Sequence, residues 1–76
     1  MAWHLMVHRT GSKEPLLETY GSEADAKEAL RELFTAIDAN RNGFVVSKGG
    51  GIAIKASEFS GAEIREIRER PLPIIG

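Results

Sequence analysis

The sequence predicts an α+β domain, a two-layer sandwich in which one helix covers an antiparallel sheet of four to five strands in the order β-β-α-β-β-β. Segments that alternate between apolar and polar residues flank one long amphipathic segment, and the links between them are too short for parallel crossovers. A single apolar helix stripe needs one sheet face to cover it. The 76 residues leave room for one domain, residues 1–70, followed by an extended apolar tail, residues 71–76.

The first two strands form a hairpin. Residues 3–10 alternate, so that Trp3, Leu5 and Val7 share one face of the strand. Residues 11–15 contain Gly and Pro and predict the hairpin loop. Residues 16–20 then return as the second strand.

The central segment, residues 23–40, is rich in strong helix formers. Ser22 is suited to cap its first turn, and Asn or Gly in the stretch 40–43 is suited to end it in the left-handed conformation. Its apolar residues recur at three- and four-residue spacing and form one stripe: Ala26, Leu30, Leu33, Phe34 and Ile37.

Two short β-rich runs, residues 44–47 and 52–55, surround a glycine-rich link and predict a second hairpin. Residues 61–70 fit a strand or a helix. The strand is preferred because Gly61 would be costly inside a helix. Two prolines exclude a regular helix from the tail.

The composition argues against several classes of function. With ten basic and eleven acidic residues, the chain has no net positive field to attract nucleic acid or an anionic membrane. It has no cysteine, and therefore neither a disulfide nor a thiolate for catalysis or metal binding. The sequence shows no signal peptide and no apolar run of about 20 residues, so we expect a cytoplasmic protein.

Candidate catalytic, cofactor and metal sites are weak. His4 and His8 are four residues apart, which on a strand separates their Cα atoms by about 13 Å, too far to share one ion within a monomer; a site shared across an oligomer interface stays open, but solvated histidines are the preferred interpretation. The glycine triplet at residues 49–51 follows Lys48, whereas a phosphate-binding loop has its Lys after the glycines and leads into a helix. We expect no enzyme activity, no cofactor and no metal.

The sheet face turned away from the helix is the more informative feature. It is expected to mix apolar and polar residues, a pattern typical of protein–protein contacts. The tail either covers this face or docks on a second copy, and a homodimer is expected. The predicted interaction face comprises His4, Met6, His8, Leu17, Val45, Lys55, Leu72, Ile74 and Ile75.

The alternative hypothesis is a nucleic-acid-binding module that uses the same sheet face. Such a module requires basic residues beside the exposed surface and binds more weakly as salt rises. The candidate contacts are His4, His8, Lys48, Lys55 and Arg65.

Residues 51–64, Gly-Ile-Ala-Ile-Lys-Ala-Ser-Glu-Phe-Ser-Gly-Ala-Glu-Ile, resemble the closing β-hairpin of small orphan proteins. Proteins of this kind are common in phages and mobile elements of high-GC bacteria. The resemblance covers about a fifth of the chain. It implies a small accessory protein and transfers no site residue.

Overall fold

The structure, a computed structural model, describes residues 2–67. The α+β class and the predicted order of elements are confirmed, and residues 61–66 belong to a strand. The elements are β1 (Trp3–Arg9), β2 (Leu16–Tyr20), α1 (Glu23–Ala39), β3 (Phe44–Val46), β4 (Ala53–Lys55), a 3-10 turn (Ala56–Glu58) and β5 (Phe59–Glu66).

The strands form two sheets instead of the single sheet of four to five strands that the sequence predicted. One antiparallel sheet has the order β2-β1-β5, and β3 pairs with β4 in a separate antiparallel hairpin. The physical reason lies in the 3-10 turn, which redirects the chain after β4. The Thr10 N–H donates to the Glu58 carbonyl at 2.8 Å, and β5 then pairs with β1.

One core joins the three-stranded sheet, α1 and the hairpin. Leu5 and Val7 of β1 are fully buried against Leu33 of α1 and against Ile52 and Ile54 of the hairpin region. Each such aliphatic side chain contributes about 1.5–3 kcal/mol when it is removed from water. The hairpin therefore completes the core on the same side of the sheet as α1.

Helix α1 begins as the sequence predicts. The Ser22 hydroxyl accepts a hydrogen bond from the Asp25 N–H at 3.2 Å, which satisfies one of the unpaired donors of the first turn. The prediction of a left-handed C-terminal cap is wrong, because none of residues 40–43 has a positive φ, and Asn40 itself has a φ of −140°. A turn closes this end instead. The Asn40 backbone carbonyl accepts a hydrogen bond from the Gly43 N–H at 3.2 Å, and the Asn40 side-chain amide donates to the Phe44 carbonyl at 3.3 Å.

Candidate functional site

The open face is the side of the three-stranded sheet turned away from α1. Its side chains alternate along each strand with those that point into the core, such as Leu5 and Val7. The open face consists of His4, Met6 and His8 from β1, Leu17 and Thr19 from β2, and Glu63 and Arg65 from β5.

The centre of the open face is apolar. Met6 lies directly opposite Leu17 across the β1–β2 pair and opposite Glu63 across the β1–β5 pair. The Leu17 side chain is 51% exposed, and Met6 is half-buried among its neighbours. The structure thus brings together four of the predicted interaction residues, since His4 and His8 flank Met6 on the same strand.

Charges of both signs lie along the β5 side of this apolar centre. The Glu63 Oε1 lies 3.6 Å from the His8 Nε2 and 3.6 Å from the Arg65 Nη2. All three side chains are substantially exposed, and exposed ion pairs contribute at most about 1 kcal/mol. Glu63, His8 and Arg65 therefore remain accessible on the open face, because they bind one another only weakly.

Two predicted interaction residues do not lie on the open face. Val45 is 4% exposed and belongs to the core, because β3 packs its inward side against the rest of the domain. Alternation then places Phe44 and Val46 on the outer side of the hairpin, where both are exposed. Lys55 is also exposed, but it lies on β4 of the second sheet.

The remaining predicted interaction residues, Leu72, Ile74 and Ile75, lie outside the described residues, as does the whole predicted tail. Among residues 2–67, no helix is long and apolar enough to cross a membrane. No group of three His, Asp or Glu side chains in that same range could hold a metal ion.

The basic residues expected of a nucleic-acid surface are dispersed. The Lys48 Nζ lies 2.8 Å from the Glu28 Oε2 of α1, and this contact raises the pKa of Lys48 and lowers that of Glu28. Lys55 belongs to the other sheet, and Arg65 lies beside Glu63. These positions do not form the continuous basic stripe that a phosphate backbone requires.

Sequence reasoning missed a polar contact between the two sheets. Glu18 accepts hydrogen bonds from the Gly51 N–H and from the Tyr20 hydroxyl, which in turn accepts from the Gly49 N–H at 3.1 Å. Glu18 lies opposite the buried Leu5, so its carboxylate points toward the core side at the edge of the sheet. The position of a Glu between the inward residues 16 and 20 was the signal that could have predicted this contact.

The electrostatics of this contact fit a structural role. Burial acts to raise the pKa of Glu18, but hydrogen bonds from Ser47, Tyr20 and the loop N–H groups outweigh it, and the pKa lies below its usual range. Burial and the hydrogen bond to Glu18 raise the pKa of Tyr20. The carboxylate is thus held in its charged form by donors from its own chain.

An open groove of about 690 Å³ lies between the second half of α1 and the start of β5. Phe34 and Phe59 meet there edge to face, with ring centroids 5.4 Å apart. Asp38 and Arg41 form an exposed ion pair of 2.8 Å in the groove lining, and Ser57 contributes a hydroxyl. The groove can make apolar contacts, but its lining includes no histidine to serve as a base for Ser57.

No known protein family matches the chain, and neither the curated proteins nor the solved structures include a significant match. No relative's activity can therefore be transferred to it. The functional proposal therefore rests on the geometry of the described residues.

Proposed function

We propose that the protein is a non-catalytic interaction module that associates with a second copy of itself through the open face. The observation that supports the proposal most directly is the pair of Met6 and Leu17, which forms an accessible apolar centre on a sheet face that α1 does not cover. Apolar centres ringed by polar groups are typical of protein–protein contacts.

A second copy suits this face because the face carries both signs of charge. In a two-fold contact the same patch must be complementary to itself. Glu63 of one copy can then approach His8 or Arg65 of the other, while the Met6 and Leu17 side chains exclude water at the centre. A strongly basic or acidic partner would leave one of these charges facing a like charge.

The size of the face indicates weak association. Three strands about 4.8 Å apart, each contributing about six residues at about 3.3 Å, cover roughly 15 by 20 Å. Stable complexes bury about 800 Å² on each partner, which is more than this surface offers by itself. We therefore expect a dissociation constant in the micromolar range or weaker.

Sedimentation velocity over about 10 µM to about 1 mM tests the proposal. We expect the average mass to rise above that of the monomer as concentration increases. A monomer over the whole range would contradict the proposal. Titration of labelled oligonucleotides at low salt tests the alternative, which predicts binding that weakens steeply as salt rises.

A further inference from the structure

Strand β5 forms an edge of the three-stranded sheet, and among residues 2–67 it pairs only with β1. The Ile67 N–H donates to the Ala2 carbonyl at 2.9 Å, which fixes the alternation of hydrogen bonds along the pair. Glu63 and Arg65, which have the same parity as Ile67, therefore direct their backbone groups toward β1. Ala62 and Ile64 direct their N–H and C=O groups toward the outer edge.

The charges on this edge are complementary to themselves. If two copies of β5 meet antiparallel with Ile64 on the two-fold axis, Glu63 of each copy lies opposite Arg65 of the other. Opposite charges that face each other across two strands are stabilising, and like charges in the same positions are destabilising. Ile64 is also suited to lie on the axis, because its backbone N–H and C=O point toward the outer edge and can bond to those of Ile64 in the second copy.

We propose that two copies pair antiparallel along β5 about Ile64 and join their two sheets into one of six strands. This edge contact goes beyond the proposed function: it is separate from the open-face contact, and it leaves Met6 and Leu17 accessible on the open face of the joined sheet. It also doubles the small area of the open face, because edge pairing places the two open faces side by side in one continuous surface.

The charge pattern also selects this register over its neighbours. A two-fold axis at Glu63 would place Glu63 opposite Glu63, and an axis at Arg65 would place Arg65 opposite Arg65. Charges on an edge strand commonly prevent pairing with other chains, and here they permit one arrangement of the strand with itself. The irregularity of the β1–β5 pairing occurs between His8 and Arg9, at the far end from Arg65.

Disulfide trapping tests the register, because the chain has no native cysteine. A Glu63→Cys variant is mixed with a tagged Arg65→Cys variant under mild oxidation. These positions form a pair without mutual hydrogen bonds, with Cα atoms about 4.5 Å apart, which is within the range that a disulfide spans. We expect the mixed pair to form covalent dimers at least about tenfold faster than either variant alone.

The control is a mixture of Val46→Cys with Arg65→Cys, because Val46 is exposed on β3 of the separate hairpin and lies neither on the open face nor on β5. Equal rates in all mixtures would overturn the edge pairing. Sedimentation of the wild-type chain under the same conditions separates the two proposals. Association without selective cross-linking would be consistent with the proposed function and would contradict the β5 contact. A persistent monomer would contradict both.

A charge exchange provides a second test that needs no new covalent bond. Glu63→Arg places like charges opposite each other and should weaken association several-fold. The double variant Glu63→Arg/Arg65→Glu restores the opposite pairs and should recover the wild-type association. Failure of the double variant to recover it, in a chain that still folds by circular dichroism, would contradict the proposed register.

Discussion

Glu18 of β2 accepts a hydrogen bond from the backbone N–H of Gly51, which lies at the tip of the second hairpin. This contact ties the hairpin to the three-stranded sheet at a point where the two share no strand pairing. The glycine loop is therefore a fixed part of the domain, and its backbone donors satisfy a carboxylate that the sheet register places near the core.

Replacing Glu18 by Ala should destabilise the domain by about 1–2 kcal/mol, because the loop N–H and the Tyr20 hydroxyl lose their acceptor. The value is at the lower end of the range for buried groups, since Glu18 is only half-buried and water can reach part of the site. Chemical denaturation measures the change. The control is Glu14→Ala in the exposed β1–β2 loop, which should alter stability by less than about 0.5 kcal/mol.

Stability should fall in acid partly through Glu18. Its pKa is lowered in the folded state, so its contribution is present above the ordinary glutamate pKa of about 4.3 and is lost as the pH falls through the folded value. Denaturation at a series of pH values should show a shallower decline for Glu18→Gln than for the wild type. Glu28, whose pKa is also lowered, contributes to the decline that remains. An unchanged slope would contradict the assignment to Glu18.

A Gly51→Ala substitution should destabilise the domain by about 1–2 kcal/mol. The added Cβ would overlap the Glu18 carboxylate, which would have to leave its loop donors. Gly21→Ala is the matched control, because a Cβ there meets nothing within 4 Å. In a Glu18→Ala background the Gly51→Ala change should be much less harmful, and strict additivity of the two changes would show that the residues do not interact.

Ser22→Ala should destabilise α1 by about 1 kcal/mol, because the Asp25 N–H loses its acceptor. Ser22→Asp keeps an acceptor at the same position and should retain stability close to the wild type. Thermal unfolding followed by circular dichroism compares the three proteins. Equal midpoints for Ser22→Ala and the wild type would show that the cap contributes nothing measurable.

Local patterns were sufficient to predict most of the fold. Alternation identified β1 and β2, and the apolar stripe together with Ser22 identified α1 to within one residue at its end. The division into two sheets could not be predicted, because it depends on β5 pairing with β1, a strand far earlier in the chain. Such a pairing depends on the 3-10 turn that redirects the chain after β4 and on the shared core that Ile52 and Ile54 complete, neither of which a local pattern records.

The candidate site was predictable only where it follows alternation within one hairpin. His4, Met6, His8 and Leu17 fall on one face for that reason. Val45 was misplaced because the face to which a strand residue belongs depends on the sheet that contains the strand. The contact between Glu18 and Gly51 joins residues far apart in the chain and depends on the tertiary fold.

Sedimentation velocity of Leu17→Glu, compared with the wild type and with Val46→Glu, tests the central claim most directly. Leu17 and Val46 are both exposed strand residues, but only Leu17 lies on the open face. We expect Leu17→Glu to weaken the open-face contact at least about tenfold, which corresponds to about 1.4 kcal/mol, so that at most the β5-paired dimer remains, and Val46→Glu to leave association unchanged. Association of Leu17→Glu at the wild-type level, with the fold retained by circular dichroism, would contradict the assignment of the open face as the contact surface.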